Sequence, residues 1–242
     1  MRVALVLSGG GMFGAWQAGA WKALAGRLRP DLVVGASAGA LNGYAIAGGA
    51  TADELRDLWL EPSMTRLELL PDCARELVEK FPPRVDYAVV LTDLWRLKPR
   101  IFRGKGITWD HLAASCSIPL VMPHYKIGGR WYTDGGLLNP LPVWAAVELG
   151  ATHIVGLHAL PEMPSVALRP LVHGFRFLFG YLPPTPAEVE LTIIQPKTKP
   201  LGSLRDALYW KRDNIERWLK QGEEDALEAA GQNISVLNCF ER

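Results

Sequence analysis

The chain has 242 residues, 26 Lys+Arg against 25 Asp+Glu, a formal net charge of +1 and 49% hydrophobic residues. The charge balance argues against a nucleic-acid binder held by a basic face, and the apolar content with nine Trp argues against disorder. The length suits one domain, or at most two small ones, with no disulfide or metal staple needed to form a core, and the chain reads as a single domain over residues 1–242.

The predicted elements alternate. Val3–Leu7 is a short apolar run that stops at Ser8-Gly9-Gly10-Gly11, too early for a signal peptide, so it reads as a buried strand entering a loop. Ala15–Ala25 predicts a helix, Leu32–Val34 a second strand, and Ala38–Ala47 a helix stopped by Gly48-Gly49. Thr51-Ala52-Asp53-Glu54 is a capping box that opens a helix to about Leu60. Tyr87–Leu91 predicts a strand, and Thr108 caps a helix to about Ser117. Val143–Leu149 predicts a helix ended by Gly150, with strands at His153–Leu157 and Val189–Ile194. Ser203 caps a last helix to about Lys220, with Leu204, Leu208, Ile215 and Leu219 on one side. This order implies right-handed βαβ units and a mainly parallel sheet with helices on both faces. In such folds ligands meet the carboxyl ends of the strands.

Pro161–Pro186 stands apart. It holds six of the 18 prolines, and Phe175, Phe177, Phe179 and Tyr181 alternate as they would along an extended strand. It reads as an excursion from the sheet, either a flap or interfacial contact, or simply part of the core. Cys73, Cys116 and Cys239 form no CxxC pair, and their odd number suits a reducing, cytoplasmic compartment. No run of about 18–20 apolar residues is present to cross a membrane.

Gly9-Gly10-Gly11-Met12-Phe13-Gly14 follows the first strand and fits GxGxxG. A dinucleotide site would also need an acidic residue at the end of the second strand. Asp31 precedes that strand instead, and its end is Gly35-Ala36-Ser37. The same loop geometry can aim backbone N–H groups at an oxyanion. Leu32-Val33-Val34-Gly35-Ala36-Ser37-Ala38-Gly39 then gives strand, Gly-x-Ser-x-Gly and helix, the order of a nucleophile elbow. Ser37 would stand at a helix N-terminus, whose free N–H groups favour an oxyanion. The plainer alternative is that Ser37 caps the helix.

Of five histidines, His158 and His173 follow Asp134 and leave a Ser–Asp–His triad formally open, but neither sits in a motif. Asp134 in Tyr132-Thr133-Asp134-Gly135-Gly136 is the stronger partner. A carboxylate can serve directly as a serine's base within about 3 Å. No HExxH, paired CxxC or carboxylate cluster offers a metal site, and no cofactor is expected.

Together these blocks resemble the patatin-like phospholipase family. Gly9–Gly14 is similar to its oxyanion loop, Gly35–Gly39 to its nucleophile elbow and Asp134-Gly135-Gly136 to its aspartate block. Ala114–Pro119 with Pro123 is similar to a further block between them, where Ser115 and Ser117 would be structural. The resemblance covers about residues 3–158. It implies a three-layer α/β/α fold and a serine-dependent lipid acyl hydrolase of the phospholipase A, lysophospholipase or carboxylesterase type. Ser37 would be the nucleophile, Asp134 the base, and the N–H groups of Gly9, Gly10 and Gly11 the oxyanion hole. The implied partner is a lipid or acyl ester, with transient contact at a membrane surface and no nucleic acid. One departure stands out: the family commonly has Arg before the last glycine of the loop, where this chain has Phe13. That predicts a preference for neutral acyl esters over anionic phospholipids. A catalytically silent lipid- or acyl-binding protein and a nucleotide-binding protein are the competing readings.

Overall fold

The computed structural model describes residues 1–61, 69–180 and 183–232. Five strands run parallel: β1 (Val3–Leu7), β2 (Leu32–Ala36), β3 (Asp86–Asp93), β7 (His153–Leu157) and β8 (Glu190–Ile194). Three more, β4 (Lys98–Arg103), β5 (Tyr125–Ile127) and β6 (Arg130–Thr133), join antiparallel. The sheet order is β5-β6-β3-β2-β1-β7-β8, with β4 on β3. β1, β2 and β7 are near-continuous apolar runs because both faces are covered.

The two faces carry unequal layers. Val3, Leu5 and Leu7 point into a large core with α1 (Gly14–Leu24), α2 (Ala38–Ala47), α3 (Ala52–Leu60), α4 (Leu70–Lys80) and α5 (Trp109–Ser115). Ala4 and Val6, one residue out of step, face a thinner core closed by Trp144, Ala145 and Ala146 of α6 (Val143–Glu148). This is the period-two alternation of a strand read from both sides. The helix expected as Ser203 to Lys220 is two helices, α8 (Leu204–Leu208) and α9 (Arg212–Gln232). The chain breaks at Trp210, whose indole N–H donates to the Trp59 carbonyl at 3.0 Å. Leu204 and Leu208 therefore line a cavity, while Ile215 packs in the large core.

The excursion also differs from expectation. Residues Arg169–Phe179 form a helix, α7, not an extended strand. Pro170 in its first turn suits a helix start, and Phe175 and Phe179, four apart, meet at a tilt with centroids 5.2 Å apart. Phe177 is 89% exposed and Leu178 71% exposed, so neither packs on the core. Tyr181 lies outside the described residues, as does Cys239. Cys73 and Cys116 are buried and form no disulfide.

Candidate active site

The register explains how two distant residues meet. β2 pairs with β3 up to Ala36 opposite Val90, and the chain then turns at Ser37. β6 joins β3 beyond that point, with Tyr132 opposite Asp93 and Thr133 opposite Thr92. β2 and β6 thus approach the same stretch of β3 from opposite ends. Ser37 and Asp134, the next residue of each, arrive beside Leu91. The β5–β6 hairpin that delivers Asp134 turns through Gly128-Gly129, both at positive φ (55° and 81°), as a two-residue hairpin turn requires.

Ser37 is held at φ 54°, ψ −129°, a conformation rare for any residue with a side chain. Such strain is a feature of the nucleophile elbow. Its N–H donates to Ser115 Oγ at 2.9 Å, and Ser115 Oγ donates to the Val90 carbonyl at 2.8 Å. Ser115 therefore ties the elbow to β3. The elbow glycines are needed for space. A Cβ at Gly35 would lie 2.2 Å from the Gly39 carbonyl oxygen, and one at Gly39 would lie 2.4 Å from that of Leu7.

Asp134 is 9% exposed and Ser37 6%. Burial pushes the Asp134 carboxyl up to about 6. The nearby Ser37 side chain, the Gly136 N–H, the Arg176 guanidinium and the Leu137 N–H each pull it back. Gly136 N–H donates to Asp134 Oδ1 at 2.8 Å. The backbone on either side is also fixed. Asp134 N–H reaches the Ser117 carbonyl at 3.0 Å, and Thr92 Oγ1 donates to the Asp134 carbonyl at 2.8 Å. Ser117 Oγ donates in turn to the Pro123 carbonyl, so both serines of that segment are structural.

Gly9, Gly10 and Gly11 line the same cavity of about 320 Å³ as Ser37 and Asp134. One of them is already engaged: the Gly9 N–H donates to the Pro140 carbonyl at 2.9 Å. Gly11 has φ +56°, and a Cβ there would lie 2.2 Å from the Ala207 carbonyl oxygen. A buried polar chain underlies the loop. Trp59 Nε1 donates to Asn42 Oδ1, Asn42 Nδ2 to Gln17 Oε1, and Gln17 Nε2 to the Ser8 carbonyl, at 2.8, 3.0 and 2.8 Å.

Phe13 does not reach the cavity. It is fully buried, edge-on to Trp218 with centroids 4.9 Å apart. The inference from Phe13 to a neutral substrate therefore loses its ground. The cation near the site comes from elsewhere: Arg176 of α7 lines the cavity. The sequence signal for it was weak, a lone arginine among aromatics in a segment with no motif. His173 lies on the outer side of α7, against Pro161, Glu162 and Arg169. His158 is pushed down to about 4, first by burial and then by the Arg176 charge. A neutral imidazole there bonds to neither Ser37 nor Asp134, and the structure brings together no triad. Asp31 accepts the Val3 N–H at 2.9 Å, at the amino end of the sheet, which removes the acidic residue a dinucleotide would need. Among the described residues, no group of three or more His, Cys, Asp or Glu is placed to hold a metal ion.

The fold and this site define an α/β protein with a serine on a strained strand–turn–helix elbow and a buried carboxyl beside it. A family model for patatin-like phospholipases matches residues 5–106 and 79–147, and the chain belongs to that family. An uncharacterized NTE family protein of Mycobacterium bovis is 32% identical over 197 residues, 71% of this chain and 53% of the relative. Patatin-like phospholipase domain-containing protein 7 of Rattus norvegicus is 26% identical over 180 residues, 64% of this chain and 13% of the relative. The chain thus spans about half or less of the length of these relatives. VipD from Legionella pneumophila has the same fold, with a TM-score of 0.56 at 11% identity over 96% of this chain and 67% of its own.

Proposed function

We propose that the chain is a serine-dependent lipid acyl hydrolase in which Ser37 and Asp134 act as a dyad. The observation that carries this reading is the pairing of a strained Ser37 with a buried Asp134 in one cavity beside the glycine loop. Ser37 Oγ attacks the ester carbonyl carbon as its proton passes to Asp134. The resulting oxyanion is met by the N–H groups of Gly10 and Gly11 and the amino end of α2. The tetrahedral species collapses, the C–O bond to the alcohol breaks, and Asp134 returns the proton to that alcohol. Water then attacks the acyl-enzyme with Asp134 again as base. The carboxylic acid leaves and Ser37 regains its proton. The carboxyl at about 6 suits this work, since it is ionised near neutral pH yet basic enough to take a proton.

The cavity wall fits an acyl chain. Ile118, Val121, Leu160, Leu168, Leu204 and Leu208 line it beside the polar groups. Outside it, Leu120, Leu171, Phe177 and Leu178 are exposed. We infer that this apolar rim meets the surface of aggregated lipid.

Ser37→Ala and Asp134→Asn test the dyad. Each is expected to lower kcat on a soluble p-nitrophenyl ester by at least about 10³-fold, with the double variant little worse than either single one. A fluorophosphonate should label Ser37 in the wild type. Clean Ser37→Ala protein with near-wild-type turnover would refute the mechanism. No labelling and no turnover in the wild type would favour the silent acyl-binding reading.

A further inference from the structure

Arg176 is unusual for its helix. No residue of α7 is fully buried, yet this side chain turns inward to the cavity that holds Ser37 and Asp134. Its Nε donates to the Leu137 carbonyl and its Nη2 to the Gly136 carbonyl, both at 3.2 Å. Those carbonyls lie two and three residues after Asp134, in the turn whose Gly136 N–H holds Asp134 Oδ1. One edge of a planar guanidinium matches two neighbouring acceptors, and an ammonium does not.

We propose that Arg176 is a positioning residue for Asp134: from α7 it clamps the two carbonyls after the aspartate and fixes that carboxylate against Ser37. The proposal rests on the dyad reading above and adds the part that α7 plays in it. Two consequences follow from the geometry. The clamp holds the carbonyl side of the Gly135–Leu137 turn, whose Gly135 N–H is already held by the Ser115 carbonyl at 3.0 Å. The cation also favours the ionised form of Asp134. Among the described residues, the other titratable group shown to act with Asp134 is Cys116 at the end of α5, whose thiol burial pushes up and so keeps neutral. Beside Arg176 stands His158 at the end of β7, also neutral at pH 7. Arg176 is therefore the charge that Asp134 meets.

The test is the pH dependence of kcat/KM on a neutral p-nitrophenyl ester for wild type, Arg176→Gln and Arg176→Lys, with melting temperatures. Fluorophosphonate labelling of Ser37 against pH gives a second measure that needs no lipid. Removing the cation makes Asp134 harder to ionise. Arg176→Gln should therefore move the acid limb of both profiles to higher pH, by about half a pH unit. The plateau kcat should fall about tenfold or more with KM nearly unchanged. Arg176→Lys keeps a charge without the two-point clamp. Its acid limb should stay near the wild-type position while its plateau still falls. If Arg176→Gln is unstable, this lysine variant decides alone, and an unchanged plateau overturns the proposal. A stable Arg176→Gln with acid limb and plateau both unchanged overturns it too, leaving a mere helix tie. So does a loss seen only as raised KM for phosphate-bearing esters, which would make Arg176 a reader of substrate charge. Ser37→Ala and Asp134→Asn run in parallel separate the two failures. If they are inactive while Arg176→Gln is normal, only the role of Arg176 falls. If they are active, the dyad itself falls.

Discussion

Asp134 titrates near 6 in the folded protein, against about 3.9 in an unfolded chain. Between those values the folded state binds more protons than the unfolded one, so stability falls as pH rises through the window. Above it the ionised, buried carboxyl costs on the order of 2–3 kcal/mol; below it the cost disappears. Asp134→Asn should therefore raise the melting temperature at pH 7–8 while abolishing turnover. The gain should vanish below about pH 4, as thermal melts across pH can check. A gain that persists at low pH would mean that the carboxyl carries no charge cost. Ser115→Ala makes the opposite case. It leaves the buried Ser37 N–H without the acceptor it has at 2.9 Å, at a cost of about 1–3 kcal/mol, and it loosens the elbow. Both melting temperature and kcat should fall. Ser37 and Asp134 were legible because each sits in a short run of glycines that little else explains. Ser115 was legible only as a structural neighbour, and Arg176 left no more than a lone arginine among aromatics. The reason is physical: a side chain that acts by reaching across space leaves no local pattern in the chain.

Elements with strong periodicity and strong caps were readable from sequence. β1, α2 and β7 fall where expected, and the Thr51–Glu54 box opens α3 with both of its hydrogen bonds formed. The missed elements had weaker signals. β4 is Lys-Pro-Arg-Ile-Phe-Arg, a polar strand on the outside of β3. The β5–β6 hairpin carries a readable turn in Gly128-Gly129, flanked by strands of only three and four residues. α4 buries Leu70, Cys73, Ala74 and Leu77 at a helical spacing, but no side-chain cap marks its start, where a proline stands in the first turn. The alternation in α7 misled for a different reason: phenylalanines two apart suit a strand, but the exposed Phe177 answers to no sheet. Packing of α1 on α9 gives a stability prediction at this scale. A Cβ at Gly19 would lie 1.9 Å from the Leu219 carbonyl oxygen, and one at Gly222 would lie 1.9 Å from that of Trp16. Gly19→Ala or Gly222→Ala must force the helices apart, at about 1–3 kcal/mol each. Denaturant melts should show this, while kcat per folded molecule stays close to wild type. An unaltered midpoint would mean that the helices are not so closely packed.

The molecule is polar along its strand axis. At the amino ends of the strands, Asp86 pairs with both Arg2 and Arg103, and Arg2 also reaches the Leu149 carbonyl at 2.6 Å. At the carboxyl ends lies the mouth of the cavity, where Leu168, just before α7, and Arg176 of α7 join the wall, and α7 shows Leu171, Phe177 and Leu178 to solvent. With a net charge of +1, the chain has no overall field to draw it to an anionic surface. No helix among the described residues is long and apolar enough to cross a membrane. If the mouth meets lipid, the attraction must then come from burial of apolar side chains, which salt does not screen. Flotation with vesicles should thus give similar binding to neutral phosphatidylcholine and to mixtures with anionic lipid. Raising the salt from about 0.05 to 0.5 M should change it less than about twofold, a range in which the screening length shrinks several-fold. Phe177→Ser with Leu178→Ser removes two exposed side chains, each able to contribute about 1.5–3 kcal/mol when buried. The pair should therefore weaken vesicle binding at least tenfold. Because neither residue packs on the core, melting temperature and turnover of a soluble ester should stay near wild type. A steep salt dependence would replace the apolar rim with an electrostatic contact. A large fall in melting temperature would return α7 to the core.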